Sequence, residues 1–107
     1  MIVHLLNEVV TVERRTRIPD GQGGWREDWR QVGTERARVR PASAREREAG
    51  AVTEALVSHV VYFRDGADIR RGDRLGRASG ERLTVVAVRR PSAGHHLEVD
   101  AEAVQRG

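Results

Sequence analysis

Cysteine is absent from the 107 residues, which excludes disulfides, zinc–cysteine sites, iron–sulfur clusters and thiol nucleophiles. Lysine is absent too: all 19 basic residues are arginine. Arginine codons are GC-rich and lysine codons are not, so we attribute this usage to base composition. Against 16 Asp and Glu it leaves a net charge of only +3, an ordinary mixed surface that does not by itself imply nucleic acid. Aromatics are scarce: Trp25, Trp29, Tyr62 and Phe63 are all there are. No apolar run approaches the ~18 residues of a membrane helix. The start, Met1-Ile2-Val3-His4-Leu5-Leu6-Asn7-Glu8, lacks a basic segment and does not read as a signal peptide. The expectation is one small soluble, cytosolic domain spanning residues 1–107.

What is present is period-two alternation, repeated along the chain. Residues 8–18 carry Val10 and Val12 on one face, with Arg14, Thr16 and Ile18 in phase. The run ends in Pro19-Asp20-Gly21-Gln22-Gly23-Gly24, a turn cluster whose glycines can take positive φ. Residues 25–32 place Trp25, Glu27 and Trp29 on one face. Val32 falls out of phase, predicting a bulge or strand end near Gln31. Residues 34–40 alternate again, with Ala37 and Val39 opposite Arg36, Arg38 and Arg40, and Pro41 closes that strand.

One helix is predicted. Ser43 and Glu46 have capping-box spacing, residues 44–49 are good helix formers, and Gly50 suits the position just past the helix end. Two turns are too few to stand alone, so this helix must dock on its own sheet or on a neighbour. Residues 51–56 read as a mobile connection. Residues 57–64 are apolar on both faces, with Val57, His59, Val61 and Phe63 on one and Val60 and Tyr62 on the other. That predicts a strand covered on both sides, or one at an interface. A turn at Asp65-Gly66-Ala67-Asp68 precedes a short strand at 69–75, interrupted by a turn at Gly72-Asp73. Residues 82–89 present either Leu83, Val85 and Ala87 inward, or Thr84, Val86 and Val88. A turn at 91–94 leads to a last strand at 96–102 with Leu97, Val99 and Ala101 inward, followed by a fraying tail, Gln105-Arg106-Gly107. The fold class is therefore all-β: a small β-barrel or sandwich of six to seven short antiparallel strands, with one short helix in a long loop at 41–56.

Catalytic and cofactor signatures are missing. The glycines at 21–24 lead into a strand rather than the helix of a phosphate loop. Residues 65–68 lack the spaced oxygens of a calcium loop. His95 and His96 point to opposite faces of a strand and cannot share a metal. His59 reads as a core histidine bonded to a carbonyl. No catalytic residue, cofactor or metal is expected. Trp25 and Trp29 either both pack the core beneath the first hairpin, or one of them anchors an interface. The alternating Arg45, Glu46, Arg47 and Glu48 are either a solvated face or a salt-bridging surface between repeated subunits.

The order of these features resembles the bacteriophage head–tail joining family, also called head-closure or stopper proteins. The resemblance runs over roughly residues 10–103. It is carried by the glycine-rich turn followed by Trp25, by Arg40-Pro41-x-Ser43-x-x-Glu46, by Ser58-His59-Val60-Val61-Tyr62-Phe63-Arg64, and by Ile69 to Leu75 and Leu83 to Val88. It implies a barrel assembling as a ring, a dodecamer in the particle, between the portal or adaptor above and the tail terminator or tail tube below. Similar proteins serve phages, prophages and gene transfer agents. The implied location is the virion neck, with non-specific contact to packaged DNA and no membrane role. The loop at 41–56 would then face the channel, placing Ser43, Arg45, Glu46, Arg47 and Glu48 at the lumen or subunit boundary, with Trp25, Trp29 and Tyr62 as interface anchors. The lack of lysine and the N-terminal extension at residues 1–7 depart from the family pattern. Two other readings remain open: a small-barrel nucleic-acid binder, and another neck component such as a tail terminator.

Overall fold

The computed structural model of the chain describes residues 6–52, 56–91 and 94–104. The expectations for the first five residues of the N-terminal extension, for residues 53–55 of the connection, for Ser92 and Ala93 of the last turn, and for the tail at 105–107 lie outside the described residues.

Six strands form: β1 (Glu8–Pro19), β2 (Trp25–Pro41), β3 (His59–Arg64), β4 (Arg74–Gly76), β5 (Arg82–Arg89) and β6 (His96–Ala103). One helix, α1 (Ala44–Val52), sits between β2 and β3. All pairings are antiparallel, and the strands close in the order β1-β2-β3-β6-β5-β4. Of the two architectures left open by the sequence, the barrel is the one that forms. Alternate residues of each strand fill its interior, as in other small barrels. Val10, Val12, Ala37, Val61, Phe63, Leu75, Leu83, Val85, Leu97, Val99 and Ala101 are all buried there. Phe63 is the largest of the fully buried side chains.

The phase change at Val32 and the open choice of inward face in residues 82–89 both resolve as bulges. The runs on either side of Gly33 are one continuous strand of 17 residues, not two. Val12 pairs with Gly33 and Glu13 with Gln31, so Val32 is the extra residue. In β5 the register shifts between Val85 and Ala87. Neither inward set holds along the whole strand: Leu83 and Val85 face the core before the bulge, and Val88 packs against it afterwards. Val86 is freed to pack outside, against a second cluster of Ala42, Val57 and Val60. That cluster covers the outer face of β3, which accounts for its two apolar faces.

Two expected boundaries move. The strand predicted at 69–75 shrinks to β4, because Ala67 and Ile69 enter the core from a loop with no strand pairing. The helix runs through Gly50 to Val52 rather than stopping there. The turn joining β1 and β2 uses its glycines in two ways. Gly21 and Gly23 take φ of 81° and 83°, where a side chain is strained. Gly24 instead leaves room for Asp20, whose Oδ1 accepts the N–H of Gln22 at 2.7 Å and of Gly24 at 3.0 Å; a Cβ on Gly24 would stand 2.7 Å from Asp20 Oδ2.

One buried polar side chain joins these parts. Asp73 is 2% exposed. Its carboxylate accepts from Arg14 Nε at 3.0 Å and Nη2 at 2.9 Å, and from the Arg70 N–H at 2.9 Å. The adjoining backbone is tied to β5: the Gly72 N–H donates to the Val85 carbonyl and the Val85 N–H to the Asp73 carbonyl, both at 2.8 Å. The loop carrying Ala67 and Ile69 is thereby fastened to β1 on one side and β5 on the other. Removing one partner of a largely buried pair leaves an uncompensated charge. Asp73→Asn is therefore expected to destabilise the barrel by about 3 kcal/mol in chemical denaturation, with Arg14→Met/Asp73→Leu recovering part of the loss. A single variant within experimental error of the wild type would contradict this.

Candidate functional site

The predicted helix forms where its capping box lies. The Ser43 N–H donates to Glu46 Oε1 at 2.8 Å, and the Glu46 N–H donates to Ser43 Oγ at 3.2 Å. Glu46 does a second job that the box alone does not reveal. Arg40, on β2, grips it in bidentate fashion, Nη1 to Oε1 at 2.8 Å and Nη2 to Oε2 at 2.7 Å. The same guanidinium donates to the Tyr62 hydroxyl of β3, from Nε at 3.1 Å and Nη2 at 2.9 Å. Charge-assisted, paired hydrogen bonds of this kind are the strong class. The Arg40 bonds, followed by the Ser43 N–H, hold the Glu46 carboxyl down from 4.5 to about 2. Glu46 and Tyr62 in turn push Arg40 well above its ordinary value.

The five loop candidates thus separate. Ser43 and Glu46 build and fasten the helix. Arg45, Arg47 and Glu48 are exposed, and their side chains form no hydrogen bond or ion pair with other described residues. Ala44 and Ala49 are exposed as well, so residues 44–49 of α1 lay no apolar side chain on the barrel. The Glu46 carboxylate on Arg40 ties the helix to the barrel.

The aromatic candidates separate too. Neither tryptophan packs in the core. They do share the outer face of the β1–β2 hairpin, as their spacing predicts. Trp29 lies between two guanidiniums, Arg15 at 5.2 Å and Arg74 at 4.0 Å from its ring centroid. Trp25 is 61% exposed, with only Arg17 near its face at 6.0 Å. Tyr62 is half-buried under the loop, its hydroxyl occupied by Arg40. Of the three anchors named from the sequence, Trp25 is the one left open to a partner.

Sequence reasoning missed the surface that carries it. β1 pairs with β4 only over Thr11 to Glu13, and β2 with β3 only from Ala37 to Pro41. Beyond those contacts residues 14–31 continue as a two-stranded arm with no core of its own, and the molecule measures 49 × 30 × 29 Å. Strand alternation marks such residues as paired but cannot say with how many neighbours. At the base of the arm Arg14, Arg15, Arg70 and Arg71 line an open cleft of about 320 Å³.

His59 and His96 are both engaged by neighbouring side chains. His59 bonds the Ser58 hydroxyl at 2.8 Å through Nδ1 rather than a carbonyl, and its Nε2 lies 4.0 Å from Glu81. The line Ser58–His59–Glu81 has the residue types of a hydrolytic triad. However, the Ser58 oxygen accepts the Ala103 N–H at 2.8 Å and Glu81 Oε1 is held by Arg77 at 2.7 Å, so the line ties strand ends together. His96 pairs with Glu98 at 3.1 Å, beside Tyr62 at 5.7 Å between ring centroids. Burial pushes the Asp100 carboxyl up, against the pull of Arg89, which bonds it at 2.8 Å. Among the described residues no group of three His, Asp or Glu is placed to hold a metal ion, and no helix is long and apolar enough to cross a membrane.

The Glu46 bond has a pH signature. Its folded value is depressed, so its contribution is complete above the ordinary carboxyl range and fades as pH falls from 4.5 towards about 2. Glu46→Ala is expected to cost about 1–2 kcal/mol through loss of cap and ion pair, and Glu46→Gln, which keeps a capping acceptor, about half of that. In urea titrations the gap between wild type and Glu46→Gln should narrow across that pH window; a gap constant throughout would show that the carboxylate does not hold the helix.

The sequence profile of the phage head completion protein family matches residues 1–104. No curated protein matches the chain. Among solved structures, the solution structure of protein SF1141 from Shigella flexneri 2a is similar, with a TM-score of 0.80 over 96% of each chain at 20% identity, which is a likeness of fold. Barrel, projecting loop and helix therefore coincide with a profile match over nearly the whole length, and the chain belongs to the phage head completion protein family.

Proposed function

We propose that this head-related structural protein is a ring component of the neck of a tailed phage, prophage or gene transfer agent. It would sit between the portal or adaptor and the tail terminator or tail tube, joining head to tail and helping to close the DNA channel. In this reading it works by shape and catalyses nothing. The observation that carries the proposal is where the unsatisfied surface lies. The barrel is closed and has no edges of its own to extend, and Glu8, Glu13, Glu35 and Asp100 on its strands are each paired with arginine. Among the described residues, two segments offer open side chains for contact with neighbours: the arm with Trp25 and the helix with Arg45, Arg47 and Glu48. A ring of identical copies needs two different patches that meet each other, and a channel component needs a loop that reaches away from the wall. The nucleic-acid-binding alternative fares less well. Base-stacking surfaces present several open aromatics, and here Tyr62 and Trp29 are both engaged by arginines.

Particles lacking this protein should package DNA into heads that accept no tails, scored by electron microscopy. Normal tailed particles without it would overturn the reading. Within that reading Arg45 and Arg47 contact DNA phosphates without reading sequence. Arg45→Glu/Arg47→Glu, whose side chains hold nothing in the barrel, is expected to reduce DNA retention in assembled particles while leaving the melting transition in place. Unchanged retention would remove this role.

A further inference from the structure

We infer that copies of this chain join through the hairpin arm, the free edge of β1 in one copy pairing with the free edge of β2 in the next. The inference rests on the ring reading above and specifies the contact that builds the ring.

Among the described residues, one side of 14–19 in β1 and one side of 25–36 in β2 has no strand beside it. Apart from the Trp29 N–H, which Asp28 Oδ1 accepts at 2.9 Å, and Pro19, which has no N–H, each presents backbone N–H and C=O groups unpaired by any strand, the template to which another strand adds. A lone two-stranded ribbon is marginal in water, so an arm without a core gains most from a further strand. The two edges lie on opposite sides of the ribbon. Pairing β1 with β2 is therefore head-to-tail, and it repeats by one rotation until it closes into a ring. Pairing like edges would give a two-fold dimer and stop.

Charge selects between these. Residues 14–19 contain Arg14, Arg15 and Arg17 and no acid, whereas residues 25–36 carry Glu27, Asp28 and Glu35 among Arg26, Arg30 and Arg36, so only the β2 edge offers carboxylates. Two β1 edges would set arginine against arginine, which is unfavourable for directly opposed pairs. A β1 edge beside a β2 edge sets arginines against carboxylates. Direction agrees as well. In a ring the arms point the same way, and β1 runs out along the arm while β2 runs back. Neighbouring edges are then antiparallel, as they are within the hairpin, where Arg17 faces Glu27 and Arg15 lies 3.6 Å from Glu27. The same complementarity is available between copies over about 20 Å of strand.

The absence of cysteine makes the test direct. Thr16→Cys, on β1, and Asp28→Cys, on β2, are each introduced alone, and the two variants are assembled together into particles and oxidised. The expected result is a disulfide-linked dimer in the mixture and none with either variant alone. Dimers formed by one variant alone would show like edges meeting and overturn the proposal. Tailed particles containing both variants but no cross-link would overturn it too, while leaving the neck assignment intact; absence of the chain from particles would instead strike the neck assignment. Hydrogen exchange of the unmodified chain provides a check independent of the substitutions. Amides of 14–19 and 25–36 should gain protection in particles relative to the free protein, and equal exchange in both states would refute the pairing.

Discussion

The Arg14–Asp73 pair is the contact on which the rest of the molecule is hung. Arg14 sits where β1 leaves the barrel for the arm. Asp73 ends the loop that delivers Ala67 and Ile69 to the core and immediately precedes β4, the shortest strand in the circle. A strand of three residues offers few ladder bonds, so closing the barrel between β1 and β5 depends on something more. The guanidinium fork and the Gly72–Asp73 backbone bonds to Val85 supply it. A buried ion pair is seldom worth more than a good apolar contact. Its value here is positional: an apolar pair of the same volume would not fix the direction in which the arm departs.

Arginine-for-lysine usage has a consequence for architecture, whatever its origin. Arg40 reaches a carboxylate, a phenol and a carbonyl from one planar group, and Arg77 holds Glu8 with two bonds and Glu81 with a third. A lysine ammonium is a point charge without that fork. A third of the residues are charged, yet much of that charge is spent inside the molecule, joining segments far apart in sequence.

The strands were legible because alternation is a local property. Leu97, Val99 and Ala101 face the core as their spacing requires, and the capping box at Ser43 and Glu46 forms as written. What could not be read was set by distance. Arg14 and Asp73 are 59 positions apart, and nothing in Gly72-Asp73 distinguishes a turn aspartate in water from one buried under a guanidinium. The bulges show the limit from the other side. Val32 was visible as a phase error, but a phase error looks the same whether the strand ends or continues, and residues 82–89 offered two inward sets with nothing to mark the bulge between Val85 and Ala87. The tryptophans mislead for a related reason. Period two assigns them correctly to a common face, but a hairpin longer than the strands flanking it has no core beneath either face.

That excess length is the feature separating this chain from a barrel that merely folds. Closure solves the edge problem for the barrel, and β1 and β2 then reopen it by running past their neighbours. Exposed edges invite uncontrolled association unless something restricts who may pair. The arm carries such a restriction, because the β1 edge is purely basic and only the β2 edge includes carboxylates, so two β1 edges repel and a β1 edge finds opposite charge on β2. A device of that kind suits a chain that should join its copies in one direction only. It also separates folding from assembly. The barrel and its ion pairs are complete in one copy, while the arm has little holding it besides its own ladder and, in the proposed ring, would be completed by a neighbour.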